Sequence, residues 1–381
     1  MNTIQTNIFI LGAGIAGCTA ALNLAGFCRV IMIDRNTSPQ PRAGESLPPA
    51  ANNLLKDMGL WEEFCQQQHL PNYGNQSHWG GNDWQETDFL RDPSGHGWHL
   101  DRQKFELWLQ QKAVQRGSLF LNTTQLKGVE QLANGRWRLH LAREKENITV
   151  EADVLIDASG RNPHLAKRLG GERKDLDKLV CGWFLGTDEV QKSLQGLSYI
   201  QADEAGWWYT APTPNGKRIL SFHTDSDNTA VEMLRTPEKL LAAIHANQDL
   251  EKRVSLVAFR ANPNTLHYGT TAAHSAITQP FVGEKWLTVG DAALSFDPLS
   301  SQGIFNALYT GLAAAESCYR YLQGQIVDFS EYEQSLFSIF HAYQNHLSQW
   351  YSLEKRWQEA DFWKRRSLIP TRPVSPTTPS A

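Results

Sequence analysis

The sequence predicts an α/β fold in which a parallel sheet is gathered from distant pieces of chain, an antiparallel sheet is inserted between those pieces, and helices close the C-terminal end. Three observations predict it. Residues 7–34 read as buried strand, glycine-rich turn, helix and buried strand. A short apolar strand running into an acid and a small-residue turn returns far downstream, at residues 154–160 and 286–292. Elsewhere the apolar period changes, first to the alternation of a half-buried sheet and then to a helical repeat.

Asn7 to Leu11 forms the first strand, Gly12-Ala13-Gly14-Ile15-Ala16-Gly17 turns the chain into a helix through about Gly26, and Arg29 to Ile33 forms the second strand, which ends at Asp34. Gly12 permits the tight turn, Gly14 lets the backbone approach a pyrophosphate, and Gly17 lets the helix pack closely on the sheet. The helix start presents unpaired N–H groups and a partial positive charge to phosphates. Asp34 stands at the spacing of a carboxylate that accepts hydrogen bonds from an adenosine ribose. The unit therefore points to a dinucleotide, and by itself does not choose between NAD and FAD. Residues 7–27 are apolar enough to resemble a short membrane span or a secretory segment, but the preceding MNTIQT carries no Lys or Arg and the glycines explain the run better.

The strand Val154 to Asp157 leads into Ala-Ser-Gly160, and Trp286 to Val289 leads into Gly290-Asp291. Asp297-Pro-Leu-Ser-Ser-Gln-Gly303 then feeds a helix with Ile304, Leu308, Leu312, Ala315, Tyr319 and Leu322 at helical spacing, a second N-terminus suited to an anion. Alternation marks residues 137–141 and parts of 179–187, 205–210 and 217–224, with Asn134-Gly135 and Asn215-Gly216 as turns. Residues 331–366 are expected to be helical, with Trp350, Leu353, Trp357, Ala360 and Trp363 as the apolar stripe. The organisation expected is a discontinuous nucleotide-binding domain (1–65, 100–178 and 270–325), a substrate-binding domain (66–99 and 179–269), a C-terminal helical segment (326–366) and a flexible tail (367–381).

With 41% apolar and 20% charged residues, the 381-residue chain has the material for a sizeable core. A net charge of −4 supplies no basic field for nucleic acid or an anionic membrane, so neither is an expected partner. Five cysteines, an odd count without a C-x-x-C pair, point to a reduced, cytoplasmic setting and away from structural zinc; no metal site is expected. No Ser-His-Asp elbow, zinc helix or Walker lysine motif appears, which removes the main hydrolytic and phosphotransfer alternatives.

Several motifs in order carry a family resemblance: GAGIAG with Asp34, Arg42-Ala-Gly44-Glu-Ser46-Leu-Pro-Pro, Arg102 in HLDRQKFELWL, DASGR at 157–161 and GDAALSFDPLSSQG at 290–303. Together they resemble the FAD-dependent monooxygenase superfamily, which includes flavin-dependent halogenases, over residues 5–325. The resemblance implies a Rossmann-like FAD domain of the glutathione-reductase type and non-covalent FAD. It implies that Gly12, Gly14, Gly17 and Asp34 hold the ADP half, with Ala13, Ile15, Arg35 and Ser46 also among the cofactor-binding residues. Arg42 and Arg102 would lie near the pyrophosphate, Asp291 would meet the ribityl or phosphate region, and Gly303 and Ile304 the isoalloxazine edge. GESLPP, Gly206-Trp-Trp-Tyr209-Thr-Ala-Pro212 and LEKRWQEADFWKRR look most like the GoxB/LodB-type flavoproteins, with the related QhpG type. That likeness implies hydroxylation of a tryptophan in a precursor protein, on the way to cysteine tryptophylquinone in a quinone-containing amino-acid oxidase.

Such chemistry needs molecular oxygen, an oriented electron-rich ring, exclusion of water and the handling of one proton. Trp207, Trp208 and Tyr209 are the expected substrate wall, although alternation sets Trp208 opposite the other two. His223, His78 and His99 are the candidate acid or base, and the catalytic group is otherwise left open. No second glycine-rich unit exists for a nicotinamide, so NADH or NADPH docks transiently or a partner reductase supplies reduced flavin. Halogenase relatives use a lysine ahead of their counterpart of Arg102 and a W-x-W-x-I-P signature. This chain has no lysine between Lys56 and Lys104, and GWWYTAP departs from the signature. A monooxygenase of a small free aromatic, including a halogenase, and a non-enzymatic flavin-binding partner of an oxidase stand as the alternatives.

Overall fold

The computed structural model describes residues 3–89, 91–144, 146–187, 196–253 and 267–367. The expected flexible tail lies outside the described residues except for Ser367. Among the described residues, the central sheet has the strand order Val282–Gly283, Trp286–Thr288, Val154–Asp157, Ile8–Leu11, Val30–Ile33, Leu119–Leu121. Its pairs are parallel except the first, a hairpin. Both faces are covered, which is why the strands read as continuous apolar runs. Ile8, Ile10, Val30 and Met32 face the helices Ile15–Leu24, Arg102–Gln115 and Gly303–Leu322, whereas Phe9, Leu11, Ile31 and Ile33 face Leu139, Leu141 and Val150 of a second, four-stranded sheet. The alternating strand Trp137–Arg143 belongs to that second sheet, paired with Thr124–Gln131 and Glu146–Ala152.

The inserted sheet has seven strands in the order His267–Ala272, Leu179–Thr187, Lys217–Asp225, Gly206–Thr213, Leu197–Asp203, Gly74–His78, Gln85–Asp88. His267–Ala272 pairs along Leu179–Thr187 as a unit, so the boundary expected at 269/270 falls inside a strand. Segment 66–99 is likewise divided: Leu70–Asn72 and Gly97–His99 pair in a small sheet with Ser46–Leu47. The back of the seven-stranded sheet buries Phe184, Trp208, Leu220 and Phe222 against Leu234, Leu240 and Ile244.

The helical stretch expected over 331–366 is made of two helices. Ser330–Leu353 runs for 24 residues, the chain leaves the helix at Glu354 with extended dihedrals, and Asp361–Ser367 forms a short second helix. The break has a cause: the buried Glu354 carboxylate accepts from the Gly80 N–H at 3.0 Å and pairs with Arg356 at 2.6 Å, pulling the backbone inward. The apolar stripe is broken with it. Trp350 and Leu353 are each 50% exposed, whereas Trp363 is buried against Trp79, Tyr351 and Phe362. Arg365 and Arg366, in the last turn of the short second helix, hold Asp225, with Arg366 Nη2 at 2.7 Å. No helix among the described residues is long and apolar enough to cross a membrane.

Candidate active site

A cleft of about 1160 Å³ runs between the C-terminal ends of the central strands and one face of the seven-stranded sheet. Its floor begins at the glycine turn. Gly12 has φ +108°, and a Cβ there would collide with the Ala158 carbonyl, so only glycine fits. Gly17 lies beneath the cleft: its missing Cβ lets the helix sit on the Gly12 carbonyl and Ala158. At Gly14 a Cβ would meet nothing within 4 Å, which leaves the helix N-terminus open to the cleft. Asp34 accepts from the Ala13 N–H at 3.0 Å and the Asn36 N–H at 2.8 Å, and Gln110 donates to the Ala13 carbonyl at 2.9 Å. These contacts hold the turn from both sides. Ile15 and Arg35 line the cleft, while Ala13 supports it from behind.

Along the next section the buried Glu106 organises two cations: Arg102 Nη2 at 2.6 Å and Arg42 Nη2 at 3.2 Å. Arg102 also donates to the Gly44 carbonyl, and its Nε is buried without a partner. Both arginines and Ser46 line the cleft. On the opposite lip, Arg173 donates to the Asp291 carbonyl at 2.9 Å, and Arg161 lies 3.8 Å from the Asp291 carboxylate, fixing that residue at the cleft surface. Asp297 accepts from the Leu299 N–H, Ser301 turns through φ +52°, and Gly303 starts the long helix with open space where a Cβ would be. The N–H groups of Gly303 and Ile304 therefore meet the cleft as unpaired first-turn donors.

The sheet supplies the far wall. Strand pairing sets Cys181 and Trp207 opposite His223, and Trp183 and Tyr209 opposite Ser221, so these side chains share the cleft face with Ile219. Trp207 stacks on His223 with centroids 3.6 Å apart and rings 4° from parallel. Burial pushes His223 down to about 3 and Cys181 up to about 12, so both are neutral near pH 7. Tyr209 donates to Glu45, whose other oxygen is buried without a partner at full hydrogen-bond geometry.

Three expectations are corrected here. Trp208 is not a cleft residue: the pleat turns it to the back of the sheet, against Phe222 at 4.4 Å. His78 is outside the cleft, bonded to Arg356 at 3.1 Å and pushed down by burial and by that cation. His99 is fully buried in the small sheet, with Nε2 against the Gly196 carbonyl, and burial pushes it down to about 4. Of the three histidines only His223 reaches the site. Sequence reasoning missed Glu45, Arg161, Trp183 and Phe296 as cleft residues. Trp183 was within reach of the same alternation that places Tyr209; Glu45 and Arg161 sit inside the quoted GESLPP and DASGR motifs.

The cleft fits FAD on its own geometry. It exceeds the ~300–1,000 Å³ of ordinary small-ligand pockets, presents two helix N-termini and an unpaired arginine donor, and has open Cβ positions at Gly14 and Gly303. Gly12, Gly14, Asp34, Arg42, Arg102 and Asp291 all line it.

Comparison with known proteins agrees. A family model described as an FAD binding domain matches residues 5–322. The chain is 30% identical to the FAD-dependent oxidoreductase LodB of Marinomonas mediterranea, over 94% of this chain and 95% of that one. Among solved structures, the myxobacterial chondrochloren halogenase CndH superposes with a TM-score of 0.84 at 20% identity, covering 95% of this chain and 86% of that chain. QhpG, a peptidyl tryptophan dihydroxylase essential for tryptophylquinone cofactor biogenesis, superposes with a TM-score of 0.71 at 21% identity, covering 95% and 78%.

Proposed function

Because this chain belongs to the FAD-binding-domain family and is a flavin-dependent enzyme, we propose that it is a monooxygenase that hydroxylates a tryptophan held in a partner protein, the precursor of a cysteine tryptophylquinone oxidase. The observation that carries this reading is the end-to-end similarity to LodB; the QhpG fold, on which a peptidyl tryptophan is the substrate, supports it. Bound FAD, reduced by NADH, NADPH or the reduced flavin of a partner reductase, would supply the electrons that activate oxygen. The chain supplies the rest. Trp183, Trp207, Ile219 and Phe296 give an aromatic and aliphatic wall against which an indole packs and from which water is excluded. His223, neutral and stacked, is a hydrogen-bonding partner rather than an acid. A ring packed on this wall would face Gly303 and Ile304, which line the same cleft.

The halogenase folds among the relatives favour a second reading, a small free aromatic as substrate. Against halogenation stands the lack of any lysine between Lys56 and Lys104. The reduced enzyme, given oxygen with either free tryptophan or the unmodified precursor, separates the two. Hydroxylation of the precursor with peroxide release from the free amino acid is expected, because remote contacts of the precursor position the ring. Efficient hydroxylation of free tryptophan with the precursor untouched would replace this reading with the second.

A further inference from the structure

Glu45 occupies an unusual position. It lines the main cleft and also a second cavity of about 90 Å³, bounded by Arg42, Leu100, Asp101, Arg102, Lys217 and His267. The residue is 3% exposed and borders both spaces, as do Arg42, Arg102 and Ile219. One carboxylate oxygen accepts the Tyr209 hydroxyl, and Tyr209 itself faces the main cleft. The other oxygen is buried and has no partner at full hydrogen-bond geometry, although the backbone N–H groups of Gly44 and Glu45 lie close enough to the carboxylate to lower it. A buried carboxylate oxygen without a well-aligned donor is costly unless it holds a proton or meets a transient one. Ser198 Oγ, 3.5 Å from the Tyr209 oxygen, can donate to the phenol while the phenol donates to Glu45.

We propose that Tyr209 and Glu45 form a proton relay that carries the proton released in the cleft to the smaller cavity and from there to solvent. The relay rests on the hydroxylation reading: an aromatic carbon that takes OH from an oxygen donor loses its hydrogen as H⁺, the C–H electron pair staying with the ring, while the oxygen left on the donor takes up one H⁺ from water. That proton passes to the Tyr209 oxygen as the phenolic proton passes to the Glu45 carboxylate. Tyrosine is thus regenerated neutral, and ionised Glu45 becomes a neutral acid. Releasing the proton through the smaller cavity restores the carboxylate, so no electron moves and charge balances. Burial raises both groups, Tyr209 further because of Glu45, which keeps the phenol protonated and lets Glu45 hold a proton. The charged and titratable groups facing the pair are Arg102 and Arg42 from the cleft side, Asp101, Lys217 and His267 around the smaller cavity, and Arg218 and Cys181 on the sheet. Of these, Arg102 lowers Glu45. In this arrangement Glu45 acts through Tyr209, and Tyr209 is the group that meets the ring.

Two measurements test the relay on flavin-loaded protein, with Glu45→Gln as the variant because the amide still accepts from Tyr209 but takes no proton. Infrared titration between pH 5 and 9 is expected to show a buried carboxyl C=O band that titrates in the wild type and is missing from Glu45→Gln. No such difference overturns the relay, whatever the substrate is. With the unmodified precursor as substrate, Glu45→Gln and Tyr209→Phe are each expected to lower kcat about 10²-fold at nearly unchanged KM, and Glu45→Gln to flatten the pH–kcat profile. Wild-type kcat and pH profile in both variants would overturn the proposal. If the wild type leaves the precursor unmodified, the hydroxylation reading falls while the infrared result still decides whether Glu45 exchanges a proton.

Discussion

Gly14 and Gly17 sit three residues apart on one helix, yet the structure assigns them opposite failures. At Gly14 the backbone has φ −77° and ψ −172°, which any residue adopts, and a Cβ meets nothing within 4 Å. Substitution there should leave the apoprotein intact and fill the open space at the helix start, where the proposed site would receive the pyrophosphate. Losing one hydrogen bond to a charged phosphate costs about 1.5–3 kcal/mol, which is about 10- to 150-fold in the FAD Kd. At Gly17 a Cβ would fall on the Gly12 carbonyl oxygen and lie 3.1 Å from the Ala158 side chain. The helix must then lift from the sheet, an overpacking penalty of about 1–3 kcal/mol on folding. The assay is a pair of measurements on Gly14→Val and Gly17→Ala: urea midpoints of the apoproteins, and FAD titration by flavin fluorescence. Gly14→Val should keep its midpoint and lose FAD affinity; Gly17→Ala should lose stability. Wild-type FAD affinity in Gly14→Val would refute the assignment of this turn to the pyrophosphate.

Removing the carboxylate in Asp225→Ala leaves Arg366 buried and unpaired, with an expected loss of about 3–5 kcal/mol by urea unfolding; the double variant Asp225→Ala/Arg366→Met should recover much of it. Trp363→Ala should destabilise by about 3–5 kcal/mol, whereas Trp350→Ala, half exposed, should stay within about 0.5 kcal/mol of wild type. Burial pushes Asp297 up to about 7, above its value in the unfolded chain, so the folded state binds the extra proton between about pH 4 and pH 7. Stability from this group is present below that window and is lost as pH rises through it, and Asp297→Asn should flatten this decline in thermal unfolding midpoints.

The strands and the glycine turn were legible because their determinants are local. Four consecutive buried residues at Ile8–Leu11, the glycine spacing and Asp34 all fall within one stretch of chain. Alternation likewise separated Trp208 from Trp207 and Tyr209, since the pleat alone decides the face. The misses depend on partners far away in sequence. The helix break at Glu354 is made by Gly80, 274 residues off, and the Tyr209–Glu45 pair joins residues 164 apart. His78 and His99 carry no local sign that distinguishes them from His223; only the sheet order places one at the cleft and the others elsewhere.

The most direct test of the central claim is the mass of the partner. The chain is co-expressed with the unmodified precursor of a cysteine tryptophylquinone amino-acid oxidase, and the precursor is digested and weighed beside one made without it. The account predicts a gain of one or two oxygen atoms confined to a single tryptophan-containing peptide, and loss of that gain in Gly14→Val. A precursor of unchanged mass, from cells in which the chain is folded and holds FAD, would contradict it.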